Sequence, residues 1–165
     1  DYMNWLPITH VILLLLMIFG GCSGSTSGGT KIVRLVVTLK ITQKSIEKSF
    51  RTRVVRPLYM NGRVLDQDDQ ENIMGFILLM TMVFLGGILL LSLLEPQVSF
   101  AGIFSAVAST LFNIGPGVAE IGPSENYAFF GPVAKCMLSL LMIMGRLELY
   151  AILVLFVPSL WKKFA

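Results

Sequence analysis

The longest apolar stretch of the chain, residues 73–94, contains 22 residues and no charged side chain. A helix of about 20 apolar residues crosses a hydrocarbon core of roughly 30 Å, so this stretch predicts a complete membrane span. A second apolar run, residues 133–157, has 25 residues, with Lys135 near its start and Arg146 and Glu148 in its middle. Its length predicts a second span, one that carries charge.

The first apolar run is interrupted by small residues. The run at 8–19 is 12 residues long, the sequence GGCSGSTSGG follows at 20–29, and helical apolar spacing resumes at Ile32. Twelve helical residues rise only about 18 Å, which is too little to cross a membrane. The pattern therefore predicts either a short interfacial helix or one crossing whose helix is broken at 20–29.

A third kind of element lies between the two long runs. Residues 98–112 include ten apolar residues among 15, Ser99 suits an N-cap, and the sequence NIGPG at 113–117 ends the helix. Since the helix is too short to cross and its neighbours require both ends to lie outside, we predict that it enters the membrane and returns. Irregular backbone at that depth is tolerated only where protein or a water-filled cavity covers it.

Basic residues set the predicted orientation. Of 13 Lys and Arg residues, nine lie within 31–63, Lys162 and Lys163 lie near the C-terminus, and residues 95–132 contain none. By the positive-inside rule the basic link and the C-terminus are cytoplasmic, and residues 95–132 are external. The basic residues also suit contact with anionic membrane lipid, and no nucleic-acid motif accompanies them. Residues 57–65 predict a short hairpin around an Asn-Gly turn.

The composition agrees with an all-α integral membrane protein. Hydrophobic residues make up 55% of the chain and charged residues 14%, against roughly 45–50% and about 25% in soluble domains. Two cysteines, Cys22 and Cys136, and one histidine, His10, exclude a disulfide framework and a Cys- or His-based metal centre. No short apolar segment with a cleavage signature precedes the first run, so the sequence predicts no signal peptide.

The sequence at 113–117 favours a cation pathway. A helix that descends from outside points its C-terminal end, with its partial negative charge, toward the membrane centre. Carbonyl oxygens of residues 113–115 can replace hydration water around an alkali ion, and glycine lets successive carbonyls point inward. Ser105, Ser109 and Asn113 recur every four residues and give the helix one polar stripe. The alternative is an ordinary Gly-Pro-Gly turn in a loop.

The Gly/Ser segment at 20–29 has two interpretations. Gly20, Gly24 and Gly28 have the GxxxG spacing that is typical of close helix packing. Five glycines and four Ser or Thr residues among ten would instead break the helix and expose backbone to ions, water or a movable gate. The segment matches neither a Walker loop nor a nucleophile elbow.

Arg146 is costly inside a membrane span, at about 2.5–3.5 kcal/mol on insertion scales. It should therefore face protein or water and have a partner, for which backbone carbonyls of the broken segment suit better than Glu148. The alternative is an arginine that snorkels to the inner interface. Lys135 is expected to snorkel to the outer one.

The ordered sequences GGCSGSTSGGTKIVR, NGRV, TLFNIGPG, LMIMGRLELY and FVPSLWK resemble the C-terminal part of the Trk family of potassium transporters. Members of that family resemble one another in having four repeats of helix, pore loop and helix around a central pore, with one filter strand from each. The resemblance implies that residues 1–46 are the second membrane helix of a third repeat, broken at 20–29. It implies that residues 47–71 are a cytoplasmic link and residues 72–165 a fourth repeat.

The resemblance also implies individual roles. Within the fourth repeat it implies spans at 73–94 and 133–157, a pore helix at 98–112 and a filter at 113–117, with Arg146 stabilising the gate loop. The implied potassium-binding filter residues are Asn113, Ile114, Gly115, Pro116 and Gly117. The implied gate-loop residues are Gly20, Gly21, Cys22, Ser23, Gly24, Ser25, Thr26, Ser27, Gly28 and Gly29.

By this resemblance the chain holds one filter strand of four, which alone cannot enclose a pore. The resemblance implies that missing repeats one to three complete it, in a homodimer in the inner (plasma) membrane with a cytoplasmic nucleotide-binding regulatory subunit. The expected function is potassium or other monovalent cation transport, with K⁺ as the transported ion and no cofactor. The alternative is a non-transporting membrane scaffold. A membrane enzyme is disfavoured because titratable groups do not converge, and Glu120 and Glu125 are expected to be solvated in an external loop.

Overall fold

The computed structural model describes residues 5–21, 30–50, 58–60 and 63–147. Within these ranges the elements are α1 (Pro7–Ile18), α2 (Ile32–Phe50), β1 (Tyr59–Met60), β2 (Arg63–Val64), α3 (Gln67–Leu94), α4 (Phe100–Leu111) and α5 (Pro132–Arg146). Two single-turn 3-10 helices, Ala119–Ile121 and Tyr127–Phe129, lie between α4 and α5. The predicted all-α class is confirmed.

Among the described residues, α3 alone is long and apolar enough to cross a membrane. It has 28 residues and begins at Gln67 rather than at residue 73, because Asp68 and Asp69 stabilise its positive N-terminal end from the first turn. Only 17% of its most apolar 18-residue window is buried within the chain. The core helix of a soluble domain would be mostly buried, so this exposure suits lipid or neighbouring membrane helices.

Helix α1 ends at Ile18, before the Gly/Ser segment, and α2 begins after it at Ile32. The N–H of Gly20 donates to the carbonyl of Thr30 at 2.9 Å, and the Thr30 hydroxyl donates to the carbonyl of Ile18 at 2.6 Å. These bonds hold the end of α1 beside the start of α2. Residues 22–29 lie outside the described residues, but a continuous helix cannot bring its two ends together in this way.

The short helix α4 is enclosed by protein. It lies between α3 and α5 and contacts α1, and nine of its 12 residues are buried. Gly87 of α3 permits the close approach, because a Cβ there would lie 3.0 Å from a methyl of Val107 and 3.3 Å from one of Leu141. Phe84 of α3 packs edge-on against Phe104, with ring centroids 5.2 Å apart. Protein therefore covers most of the helix itself, whereas Ile114, Gly115 and Pro116, which follow it, are exposed.

The N-cap of α4 is the predicted one. The hydroxyl oxygen of Ser99 accepts a hydrogen bond from the N–H of Gly102 at 3.1 Å. The helix begins at Phe100 and ends at Leu111, inside the predicted range of 98–112. An N-cap of this kind satisfies one of the N–H groups that a helix start leaves without a partner.

The link between α2 and α3 contains a short antiparallel pairing, in which Tyr59 pairs with Val64 and Met60 with Arg63. The turn residues 61–62 lie outside the described residues. This register leaves two residues between the paired strands, which is the arrangement of a tight β-hairpin.

Helix α5 begins at Pro132, and residues 148–157 of the predicted second span lie outside the described residues. The Lys135 ammonium donates to the carbonyl of Ala128 at 2.8 Å. The side chain is therefore directed toward the loop that precedes α5.

Candidate functional site

The segment after α4 reverses the direction of the chain. Asn113 has φ 56° and Gly115 has φ 109°, both in the left-handed region. Asparagine and glycine are the residues that adopt this region most readily. Ile114 is 40% exposed, and Gly115 and Pro116 are also exposed, whereas Gly117 is buried. Most of the predicted filter thus lies on a surface of the described chain.

Helix α5 supports the start of this segment. The side-chain amide of Asn113 donates to the carbonyl of Met142 at 3.0 Å. Gly145 has no room for a side chain, because a Cβ there would overlap the carbonyl oxygen of Leu111 and lie 2.8 Å from the Asn113 amide nitrogen. Close contact with α5 therefore fixes the C-terminal end of α4.

The polar stripe on α4 binds the returning backbone. The hydroxyl oxygen of Ser105 accepts from the N–H of Val118 at 3.1 Å, and that of Ser109 accepts from the N–H of Gly115 at 3.1 Å. Both serines are buried. Two members of the predicted stripe, Ser105 and Ser109, hold residues 115–118 beside the helix, which their spacing did not reveal. The third, Asn113, lies beyond the end of α4, and its side chain binds α5 instead.

The carbonyl oxygens of the predicted filter fall into two groups. That of Gly115 accepts from the hydroxyls of Ser109 at 2.5 Å and Tyr127 at 3.0 Å. Among the described residues, no hydrogen bond occupies the carbonyl oxygens of Asn113 and Ile114. In this conformation the carbonyl of Gly115 therefore binds protein, and those of the two preceding residues are available to a ligand.

Gly117 is required by close packing. A Cβ there would overlap the side chain of Ile121 and lie 3.0 Å from the hydroxyl oxygen of Ser105. Its N–H donates to the carbonyl of Ile121 at 2.8 Å. A glycine here lets the strand pass between α4 and the first 3-10 turn.

Two predicted sites that are far apart in sequence line one cavity. Its volume is about 500 Å³, and it is bounded by Asn113, Ile114 and Pro116 on one side and by Gly20 and Gly21 on the other. The remaining walls are Leu13, Leu16, Met17, Phe19 and Phe112. The predicted filter therefore faces the first edge of the predicted gate loop.

The remaining gate-loop residues lie outside the described residues: Cys22, Ser23, Gly24, Ser25, Thr26, Ser27, Gly28 and Gly29. Arg146, their predicted partner, is exposed and lies in the last turn of α5. It directly follows Gly145, the residue that contacts the end of α4. The partial negative charge of a helix C-terminus stabilises a cation at this position.

Two acidic residues have partners that the sequence did not predict. The carboxylate of Glu120 accepts from the N–H of Ser99 at 3.1 Å and from its hydroxyl at 2.8 Å, so the expectation of simple solvation is wrong for Glu120. Burial raises the pKa of Glu120, but hydrogen bonds from its own backbone and from Ser99 outweigh that effect and lower it. Glu95, only 5% exposed, accepts from the N–H of Gly131 and the amide of Gln97, each at 2.6 Å.

The residues that sequence reasoning missed share one property. Tyr127, Glu120 and Met142 each contact the region around α4 from a distant part of the chain. The positive end of a helix favours an acidic partner, so the sequence could have suggested one for the start of α4. It could not have identified Glu120 as the acid that contacts Ser99. Within the described ranges no group of three potential metal-ligating side chains occurs.

Comparison with known proteins gives a family match along almost the whole chain. The family model of TrkH, described as a cation transport protein, matches residues 1–163. The chain is 32% identical over 160 residues to the Trk system potassium uptake protein TrkH of Salmonella typhimurium, a match that covers 97% of this chain and 32% of that protein. It is 35% identical over 164 residues to TrkI of Halomonas elongata, with 99% and 33% covered.

The same relation appears in three dimensions. The crystal structure of the potassium transporter TrkH from Vibrio parahaemolyticus matches with a TM-score of 0.85 and 31% identity, over 97% of this chain and 33% of that chain. The chain thus spans about a third of the length of the relatives that it matches. The resemblance drawn from the sequence is confirmed, and the chain belongs to the TrkH family of cation transport proteins.

Proposed function

We propose that this chain forms one strand of a potassium-selective filter, together with the gate beneath it, in a plasma-membrane potassium transporter. The observation that carries the proposal is the cavity shared by residues 113–116 and by Gly20 and Gly21. An ion leaving the filter would enter that cavity and meet the gate. The relatives TrkH and TrkI are named potassium uptake proteins.

The chemistry of the site suits a dehydrated monovalent cation. The carbonyl oxygens of Asn113 and Ile114 are the candidate ligands, because no other described group occupies them. Backbone carbonyls replace hydration water without introducing a full negative charge, so an ion can bind and still leave. The C-terminal end of α4 adds partial negative charge next to the site. The roles proposed for Gly115, Pro116 and Gly117 are to shape the strand.

The proposal requires protein beyond these residues. A filter needs several strands around an axis, and we propose that three further repeats supply the others. Exposed apolar side chains on α1, α3 and α5 offer surfaces for those repeats or for lipid. Examples are Val11, Leu15, Leu78, Leu85, Leu89 and Leu140.

The proposed assembly follows the resemblance to the Trk family. It is a homodimer of complete transporters with a cytoplasmic nucleotide-binding subunit, and the basic link and the C-terminus face the cytoplasm. Residues 1–46 would end a third repeat, and residues 72–165 would form a fourth. The protein would act as a transporter of K⁺ and not as an enzyme, and it would need no cofactor.

The test is the replacement Gly115→Ser in the complete transporter, with K⁺ and Na⁺ uptake measured separately. Gly115 has φ +109°, a conformation that a residue with a Cβ rarely adopts, so serine would displace the strand. We expect the ratio of K⁺ to Na⁺ uptake to fall. The matched control is Gly86→Ser in α3, where a Cβ meets nothing within 4 Å.

The scaffold alternative makes the opposite prediction. If the glycines serve only helix packing, Gly115→Ser leaves both the uptake rate and the ion ratio unchanged. That result would refute the filter. Under the scaffold alternative, deletion of residues within 20–29 would also leave the rate of K⁺ uptake unchanged.

A further inference from the structure

Tyr127 lies outside the predicted filter, yet its side chain reaches it. The residue begins the second 3-10 turn, and its ring stacks on Phe130, with centroids 5.8 Å apart and planes at 28°. Phe130 is buried and stacks in turn on Phe129 at 4.4 Å. The tyrosine ring is therefore held by an aromatic cluster rather than free in the loop.

The hydroxyl of Tyr127 completes a closed set of hydrogen bonds. It lies 3.0 Å from the carbonyl oxygen of Gly115 and 3.3 Å from the hydroxyl oxygen of Ser109. The Ser109 hydroxyl donates to the same carbonyl at 2.5 Å, and we assign the single Tyr127 proton to its shorter contact, the one with that carbonyl. The Ser109 oxygen then accepts from the N–H of Gly115. Both lone pairs of the Gly115 carbonyl are thereby occupied.

The peptide unit between Gly115 and Pro116 depends on this carbonyl. A proline contributes no N–H, so the carbonyl is the only group through which hydrogen bonds can hold this peptide plane. The ring of Pro116 also restricts its φ, which limits independent rotation of the plane. The hydroxyls of Ser109 and Tyr127 therefore orient the peptide plane between Gly115 and Pro116. The carbonyl of Ile114 belongs to the peptide plane directly before it.

Burial raises the pKa of the Tyr127 hydroxyl above its ordinary value, and the neighbouring Ser109 hydroxyl offsets only part of this rise. The hydroxyl thus stays protonated at physiological pH and remains a donor. A phenylalanine at the same position would keep the ring stack and remove only the donor. The contribution of the donor can therefore be measured separately from packing.

We infer that Tyr127 is a positioning residue for ion selection, which acts through the Gly115 carbonyl to fix where the carbonyls of Asn113 and Ile114 point. This inference rests on the proposed function. Two accounts of K⁺ and Na⁺ discrimination exist, one based on the size of the carbonyl cage and one on the number and field strength of its dipoles, and this inference follows the first. Without the hydrogen bond from Tyr127 to the Gly115 carbonyl, the strand can move closer to the smaller Na⁺ ion. The Tyr127 hydroxyl therefore favours K⁺.

The experiment is Tyr127→Phe in the complete transporter, with K⁺ and Na⁺ uptake measured in the same cells. We expect the K⁺ to Na⁺ uptake ratio to fall by about three- to tenfold, the range that corresponds to one net hydrogen bond. The matched control is Tyr59→Phe, an exposed tyrosine of β1, which should keep the wild-type ratio. The ratio is independent of the amount of transporter, so reduced assembly does not obscure the result.

A second variant tests whether Tyr127 acts through Gly115. Ser109→Ala removes the other donor to the same carbonyl, and we expect the effects of the two changes on the ratio to be non-additive in the double variant. Uptake of both ions reduced in the same proportion, with an unchanged ratio, would overturn the inference because it indicates a purely structural role. Additive effects in the double variant would overturn it as well.

The Gly115→Ser variant separates failure of this inference from failure of the proposed function. If Gly115→Ser lowers the ratio and Tyr127→Phe does not, the inference fails and the filter stands. If neither variant changes the ratio, the filter itself is refuted, and the inference with it.

Discussion

Helices α1 and α4 have the same length and opposite environments. Each has 12 residues and is followed by a glycine-containing segment, yet Met17 is the one buried residue of α1 whereas nine residues of α4 are buried. Seven of the 12 residues of α4 are Gly, Ala, Ser or Thr, and α1 is rich in leucine and isoleucine. Small residues let neighbouring backbones approach closely, and long apolar ones are equally satisfied by lipid. Side-chain size, more than hydrophobicity, distinguishes the two helices.

The segments that follow these two helices are held by different chemistry. After α4, the buried hydroxyls of Ser105 and Ser109 bind the backbone at Val118 and Gly115. After α1, the described contacts are mainly between backbone groups, since the N–H of Gly20 donates to the carbonyl of Thr30 and the N–H of Ile32 donates to the carbonyl of Gly21. The segment at 113–118 therefore depends on side chains of its own helix for its position.

The largest expected effect is that of Gly145→Leu, which tests whether α5 supports the end of α4 and the proposed filter strand that follows it. The new side chain would meet the carbonyl oxygen of Leu111, so α5 must move away from α4. Overpacking costs about 1–3 kcal/mol and occasionally more, and we expect the upper end because backbone is the obstacle. Thermal unfolding of the purified transporter measures this loss, and Gly86→Leu, whose Cβ faces open space, is the control. Equal melting temperatures for the two variants would show that α5 does not support the strand.

Shortening the gate loop should affect flux rather than selectivity. Deletion of several residues within 20–29 removes the proposed obstruction below the filter, so we expect K⁺ uptake to rise severalfold with an unchanged K⁺ to Na⁺ ratio. Arg146→Ala should raise uptake in the same direction. Reduced uptake with normal assembly would contradict the gate. An Arg146 effect confined to protein amount would point to a structural role.

A smaller effect is expected from Ser105→Ala, which removes one anchor of the filter strand. The N–H of Val118 would lose its acceptor in a buried site, and an unsatisfied buried donor costs about 1–3 kcal/mol. The free energy of unfolding of the purified transporter measures the loss. Ser139→Ala is the matched control, because Ser139 is exposed and bonds only within α5. A loss no larger than that of the control would mean that the stripe does not anchor the strand.

The smallest effect is a pH dependence from Glu120. Its pKa in the folded protein lies below the ordinary value of 4.5, so its stabilising contribution is present above pH 4.5 and is lost as the pH falls through the lower folded pKa. Glu120→Gln should therefore lower the melting temperature slightly at neutral pH and cease to differ from the wild type in acid. Ser99→Ala removes one of the donors and also the N-cap of α4, so it should lower the melting temperature at both pH values, with a part that depends on pH as for Glu120→Gln. A difference between Glu120→Gln and wild type that is equal at both pH values would contradict this assignment.

Much of the fold is readable because it depends on local patterns. The apolar run 73–94 of α3, the N-cap at Ser99 and the stop at 113–117 are each set by local patterns. The polar spacing of Ser105 and Ser109 is also visible in the sequence. Helix α3 begins before the apolar run, at Gln67, because Asp68 and Asp69 stabilise its N-terminal end.

The supports of the candidate site could not be read in the same way. Tyr127 lies 12 positions from Gly115, and the Asn113 amide bonds to Met142 across 29 positions. Glu120 contacts Ser99 across 21 positions. No periodicity relates such pairs, because loops and packing bring them together. The sequence could indicate that a polar residue is important, but it could not identify the distant residue that it binds.

The amino-acid sequence by itself determined that this is a helical membrane protein with a short helix between two long apolar runs and with two glycine-containing segments, since hydrophobic length, charge distribution and local capping act over a few turns. Only the tertiary structure decided that the two segments line one cavity, that α5 supports the end of α4, and that the Gly115 carbonyl is held by Ser109 and Tyr127. Those features depend on which surfaces meet when the helices pack, and packing is a property of the assembled chain.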